Sequence, residues 1–216
     1  MSPLTRIIHV VDDDDSMRTA VMRLLRAAGY EVRGYSSAGE FLLAQPGNMP
    51  GCIVLDVCMP GLDGLDLQAA LGEQDNALPI IFLTGHGDIP MSVRAMKAGA
   101  VDFLTKPVKR EALLNAVQSA LAHDAENRAA RETAGTLRSL YEGLTPRERA
   151  VFALVTAGKL NKQIAIELGT SDRTVKAHRA KVMEKMHVAS LAELVHVAEQ
   201  LQAGARPGEV EHCRSI

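Results

Sequence analysis

Only three cysteines, Cys52, Cys58 and Cys213, occur in 216 residues, and their positions fit neither a disulfide framework nor a metal-binding spacing. A reducing cytoplasm is the compartment this implies. No apolar run approaches the roughly 18 residues of a membrane-spanning helix, and the N-terminus lacks the apolar stretch of a signal peptide, so neither membrane insertion nor export is expected. No zinc-type cluster and no arrangement resembling a catalytic triad is present. Strong net charge is missing as well, but the overall −2 hides an asymmetry. Residues 1–124 carry 10 Lys and Arg against 15 Asp and Glu, whereas residues 125–216 carry 14 against 11. An acidic half joined to a basic half points to two jobs, the second involving nucleic acid. What is present, 47% hydrophobic and 23% charged residues, is the composition of globular domains with real cores.

The first half alternates short β-rich runs with helix-period stretches. The runs are Ile7–Val11, Glu31–Tyr35, Ile53–Asp56, Ile80–Thr84 and Val101–Thr105. Helical periodicity covers about 16–28, 38–45, 64–72 and 91–98, and resumes near Lys109; Ser37-Ala38-Gly39-Glu40 reads as a capping box. Five βα units predict a doubly wound, flavodoxin-like five-stranded parallel sheet with right-handed crossovers. From Lys109 to Arg138 the chain is rich in Ala, Glu and Arg and has no proline, which predicts a long helix or a helix passing into a polar linker, softest at Gly135-Thr136.

Open α/β sheets place their chemistry at the carboxyl ends of strands. Asp56 ends the apolar run Cys52-Ile53-Val54-Leu55, and Asp12 and Asp13 follow Ile8-His9-Val10-Val11. With strand order 2-1-3-4-5 these strands are neighbours and the three carboxylates converge, which requires a counter-ion. Mg²⁺ suits such an oxygen-only site and would neutralise an incoming phosphoryl group while Asp56 attacks it in line. Asp14 and Asp15 belong to the next helix N-terminus, where acids favour the dipole. Thr84 closes the fourth strand, where a hydroxyl can bond a new phosphoryl oxygen. Lys106 follows the fifth and precedes Pro107; its ammonium can pair with a carboxylate and then with a phosphoryl oxygen, and a cis bond before Pro107 would aim it inward.

The second half shows no strand pattern. Thr145-Pro146-Arg147-Glu148 combines a capping box with proline at the first helical position and opens a helix that stops at Gly158, with Val151, Leu154 and Val155 on one face. Asn161 is read as the cap of a shorter helix with Ile164, Ala165 and Leu168 inward, ending at Gly169. Ser171 opens a helix to about Met186 with Val175, Val182 and Met186 inward, and Ser190-Leu191-Ala192-Glu193 starts a fourth. A short helix, a glycine-containing turn and a longer basic helix compose a helix-turn-helix in a small all-α four-helix domain. The tail from residue 204 is expected to be disordered.

Val10-Val11-Asp12-Asp13, Leu55-Asp56-Val57-Cys58-Met59-Pro60-Gly61, Leu83-Thr84-Gly85-His86-Gly87-Asp88 and Lys106-Pro107 resemble the motifs of response-regulator receiver domains. Thr174-Val175-Lys176-Ala177-His178 resembles LuxR-type helix-turn-helix proteins. The combined order resembles the FixJ/NarL class of bacterial two-component regulators over most of the chain. The resemblance implies a receiver at 1–124, a helical linker at 125–142, a DNA-binding domain at 143–203 and a flexible tail at 204–216. It makes Asp56 the phosphoacceptor, Asp12, Asp13 and Asp56 the Mg²⁺ site with the backbone carbonyl of Cys58, and Thr84 and Lys106 the phosphate-sensing partners. Phe103 falls where the family places a switch aromatic. Cys58 stands where a large or polar residue is commoner and reads first as a tolerated variable position, the alternative being a changed access of water to the phosphoryl group; His86 shapes the neighbouring loop.

On the DNA side, the 171–187 helix carries Arg173, Lys176, Arg179, Lys181 and Lys185 against Asp172 and Glu184. Lys176, Arg179 and Ala180 are expected to face bases, and Arg173, Thr174 and Lys181 to lie near phosphates. The implied partners are a sensor histidine kinase and double-stranded promoter DNA, with homodimerisation on phosphorylation and a bacterial cytoplasmic setting. Two other classes compete. An aspartyl-intermediate phosphatase usually carries a second acid where this chain has Cys58. In a phosphorylation-independent DNA-binding regulator, the receiver would serve as a dimerisation or ligand module; the full Asp12, Asp13, Asp56, Thr84 and Lys106 set argues against it.

Overall fold

In the computed structural model the described residues are 6–44, 49–72, 78–85 and 89–203. The chain divides into two compact units, Met1–Arg128 and Ala129–Ile216.

The first unit is a five-stranded parallel sheet in the order β2-β1-β3-β4-β5. Its strands are β1 (Ile7–Val11), β2 (Glu31–Tyr35), β3 (Gly51–Asp56), β4 (Ile80–Thr84) and β5 (Asp102–Thr105), alternating with α1 (Asp15–Ala27), α2 (Ala38–Ala44), α3 (Gly64–Gly72) and α4 (Ile89–Lys97). The third strand is longer than the apolar run suggested because Gly51 and Cys52 pair in register with Ile7 and Ile8. The fifth starts one residue late, at Asp102. Strands β1, β3 and β4 are buried along their whole length, as expected of parallel strands covered on both faces. One aliphatic cluster joins Ile8, Val10, Val54, Ile81 and Leu83 to Val21, Leu25, Leu113 and Val117; the other face packs Val11, Ile53, Leu55 and Phe82 against Phe41 and Leu67.

Two local features set the carboxyl edge of the sheet. Asp14 caps α1, its carboxylate accepting from the N–H groups of Ser16 and Met17 at 2.8 and 3.1 Å, and Asp15 is the first helical residue. Gly64 lets α3 start directly against the end of β3: a Cβ there would lie 2.4 Å from the Asp56 carbonyl oxygen, and the Gly64 N–H donates to the Val57 carbonyl at 3.0 Å. At the start of α2, Ser37 Oγ accepts from the Glu40 N–H, but the Glu40 carboxylate reaches Ser36 and not Ser37.

Helix α5 runs unbroken from Arg110 to Glu142, straight through Gly135. Its first half, including Ala116, Val117 and Ala120, belongs to the sheet's core, and Leu137, Leu140 and Tyr141 pack on the core of the second unit. The second unit adds α6 (Pro146–Thr156), α7 (Asn161–Glu167), α8 (Asp172–Lys185) and α9 (Leu191–Ala203). The Thr145/Glu148 capping box and the proline in the first turn are present. Gly158 and Gly169 follow their helices with φ of 81° and 61°, the left-handed turn that glycine makes without strain. Asn161 is not the cap of α7: Leu160 takes that position, with its N–H held by the Gln163 side chain at 2.8 Å, and Asn161 is the first helical residue. Phe152, a neighbour of the expected core face, is buried with Val151 and Val155, while Leu154 is only partly buried. Among the described residues no helix is long and apolar enough to cross a membrane. The expected disordered tail at 204–216, with Cys213, and the loop residue His86 lie outside the described residues.

Candidate functional site

Asp12 leaves β1 and Asp56 ends β3, and the two strands pair in parallel, so both carboxylates emerge at the same edge. Asp12 is 1% exposed and Asp56 6%, whereas Asp13 faces solvent. Oxygens of the three carboxylates lie within 4.8 Å of one another. Lys106 reaches into this group from beyond β5, its Nζ 2.8 Å from Asp12 Oδ2 and 2.9 Å from Asp56 Oδ2. The Lys106–Pro107 bond is cis. Burial raises the Asp12 pKa above the ordinary carboxylate value, against the opposing pull of its hydrogen bond and charge contact with Lys106. Burial alone would lower the Lys106 pKa, but the bonds to Asp12 and Asp56 outweigh it and hold the ammonium above its usual value. The site is therefore an acidic pocket tied together by the partly buried Lys106 ammonium, and an oxygen-only donor set of this kind fits a hard divalent ion.

Thr84 and Phe103, expected as a phosphate-sensing hydroxyl and a switch aromatic, stand on β4 and β5. Thr84, fully buried, ends β4, and its carbonyl accepts from the Lys106 N–H at 2.7 Å. Asp56 pairs with Leu83, one residue before Thr84. Phe103 on β5 is half-buried beside Phe82, ring centroids 6.2 Å apart. The thiol-bearing Cys58 is exposed, and its N–H is a long 3.4 Å from Asp56 Oδ1.

Arg18 is a residue the sequence reading passed over. Its Nη1 donates to the Asp12 carbonyl at 2.7 Å, and its other terminal nitrogen pairs with Asp15. It therefore braces the β1–α1 turn that carries the acids. The three-residue spacing between Asp15 and Arg18 on a helix was the available signal.

In the second unit α8 sorts its residues by helical position. Val175, Val182 and Met186 are buried, while Arg173, Lys176, Ala177, Ala180 and Lys181 are exposed along the opposite stripe. Ser171 caps the helix through the Thr174 N–H at 3.1 Å, and the two hydroxyls are 2.8 Å apart. Lys176 pairs with Asp172 at 3.0 Å. Arg179, expected with Lys176 and Ala180 to face bases, is half-buried at the edge of that stripe, four residues after Val175 and three before Val182. There its Nη1 donates to Asn161 Oδ1 at 2.6 Å. A second pair, Lys185 with the buried Glu148 at 2.6 Å, ties the end of α8 to the start of α6.

A parallel sheet with an acid, hydroxyl and lysine set at its carboxyl edge, followed by a helix-turn-helix with an exposed basic stripe, defines a receiver domain coupled to a DNA-binding domain. Residues 8–118 match the response regulator receiver domain, and residues 142–198 match the luxR family of bacterial regulatory proteins. The chain belongs to the response-regulator family, in the class that carries a LuxR-type output domain. Nodulation protein W of Bradyrhizobium diazoefficiens is 49% identical over 203 residues, spanning 94% of this chain and 89% of that protein. Transcriptional regulatory protein FixJ of Azorhizobium caulinodans is 43% identical over 202 residues, 94% of this chain and 95% of that one. The solved structure of response regulator StyR, 48% identical, superposes with a TM-score of 0.77 over 91% of this chain and 99% of that one. The protein is thus a transcriptional response regulator and not an enzyme, with a histidine kinase and DNA as the partners its two domains imply.

Proposed function

We propose that this regulator is switched by phosphorylation of Asp56, and the observation that carries the reading is the Asp12–Lys106–Asp56 bridge beside Asp13. A sensor histidine kinase is the donor, and the transfer takes place in the cytoplasm. Asp56 attacks the phosphorus of a phosphohistidine; the new O–P bond forms as the P–N bond breaks, and the imidazole leaves with the electron pair and takes up a proton. Asp12, Asp13, Asp56 and the Cys58 carbonyl would hold Mg²⁺, whose charge would neutralise the phosphoryl oxygens. Lys106, already between the two buried acids, re-pairs with a phosphoryl oxygen, and Thr84 at the neighbouring strand end bonds another. The small Cys58 side chain sets how readily water reaches the acyl phosphate.

Movement of Thr84 and repacking of Phe103 then alter the α4–β5 surface, on which Val93 and Met96 stand 44% and 47% exposed, one helical turn apart. That surface pairs with a second copy. We assign 1–124 to the receiver, 125–142 to the linker that sets the spacing of the two output domains, and 143–203 to DNA binding. The exposed stripe of α8 enters the major groove: Lys176 and Ala180 lie toward bases, Ala180 offering only a methyl, while Arg173 and Lys181, with Thr174 at the helix start, lie toward phosphates.

The test is Asp56→Asn in the full-length protein with a small-molecule phosphodonor and Mg²⁺. The expected outcome is loss of phosphoryl incorporation and of the accompanying gain in DNA affinity; incorporation at wild-type level would overturn the acceptor assignment. Equal DNA affinity of the wild type with and without phosphodonor would instead favour a receiver that serves as a dimerisation or ligand module.

A further inference from the structure

We infer that Asn161 is a positioning residue for DNA recognition, acting through Arg179. An asparagine at a helix start ordinarily turns its side-chain oxygen to its own helix's N–H groups. In α7 the cap position falls to Leu160, which has no side-chain acceptor and whose own N–H donates to Gln163 Oε1 at 2.8 Å, so Asn161 is the first helical residue and not the cap. The Asn161 oxygen instead accepts from a guanidinium 18 residues away, at 2.6 Å, across the seam between the two helices of the helix-turn-helix.

Arg179 stands where the buried stripe of α8 meets its basic face. Its neighbours at Val175 and Val182 are in the core, and the exposed Lys176 and Ala180 lie beside it. A guanidinium has five N–H donors in a rigid plane. One is bound to Asn161, and no other partner of Arg179 is present among the described residues. A half-buried arginine with one nitrogen tied and the rest of the fork free is a pre-oriented phosphate clamp. It need not lose side-chain freedom again when the backbone of the duplex arrives. The geometry thus moves Arg179 from the base-reading set to the phosphate-positioning set, and gives Asn161 the role of holding it. This rests on α8 being the helix presented to DNA.

The test is a double-mutant cycle in the full-length protein, binding a promoter fragment identified by footprinting, over a series of salt concentrations. Arg179→Ala is expected to weaken binding at least tenfold and to reduce the slope of log affinity against log salt by about one, the loss of one phosphate contact. Asn161→Ala alone is expected to weaken binding three- to tenfold with less change in slope, and to cost nothing further when added to Arg179→Ala. Equal losses from Asn161→Ala in both backgrounds would overturn the positioning role. An unchanged salt slope in Arg179→Ala, with native helicity by circular dichroism, would make the pair a packing contact only. Lys176→Ala is the control: if it too leaves binding unchanged, the placement of α8 on DNA fails, and not merely this inference.

Discussion

Replacing His9 with phenylalanine probes how the sheet that carries the Asp12–Lys106–Asp56 cluster responds to acid. His9 lies in the middle of β1, 1% exposed, stacked on Tyr35 and edge-on to Phe41. One ring nitrogen shares a proton with the Tyr35 hydroxyl at 3.1 Å, and the other, Nε2, has no hydrogen-bond partner among the described residues. Burial, reinforced by the charge of Arg33, lowers its pKa from 6.5 to about 4. The folded state thus favours the neutral ring, and the unfolded chain takes up a proton that the fold refuses. The stability so held is fully present above pH 6.5, falls as pH drops toward 4, and changes no further below that. At about 1.4 kcal/mol per pKa unit the whole effect is about 3 kcal/mol, of which about 2 kcal/mol is lost between pH 7 and pH 4.5. Urea unfolding followed by circular dichroism across that range should give a shallower acid limb for His9→Phe by about this amount. The comparison is between slopes, since loss of the Tyr35 hydrogen bond shifts the variant's curve as a whole. Parallel pH curves for the two proteins would refute the reasoning.

Two further outcomes follow from geometry elsewhere in the chain. Glu148, bonded by Lys185 and by the Thr145 N–H, has its pKa lowered to about 2 from 4.5. That contribution is present above pH 4.5 and lost as pH falls toward 2, a window below that of His9. Because Lys185 is partly exposed, Glu148→Gln should cost the second unit only about 1–2 kcal/mol at pH 7 and flatten its acid transition, measured by thermal melts at stepped pH. Gly64→Ala should destabilise the receiver by about 1–3 kcal/mol, since its Cβ would press on the Asp56 carbonyl. It should also slow phosphoryl incorporation, with the melting of the second unit unchanged; normal incorporation would show that the β3–α3 junction does not position Asp56.

Period and punctuation along the chain were enough to read the architecture. Apolar runs closed by turn residues marked all five strands to within two residues, because a parallel strand covered on both faces must be apolar throughout. The acids, hydroxyl and lysine were legible because strand ends are where such a sheet presents side chains, and Thr145-Pro146-Arg147-Glu148 announced its own helix through local hydrogen bonds. What lay beyond the sequence was which of its possible partners each side chain takes. That Lys106 spans both Asp12 and Asp56 depends on how β5 is placed relative to β1 and β3, 94 and 50 residues away. That Arg18 braces the acidic turn depends on the first coil of α1 folding back over it. Asn161 was misread for the same reason: a local rule made it a cap, and only the packing of α7 on α8 offered it a guanidinium. Local chemistry can be read from neighbours in the chain, whereas a side chain with two available partners is assigned by whichever one tertiary packing brings within hydrogen-bonding distance.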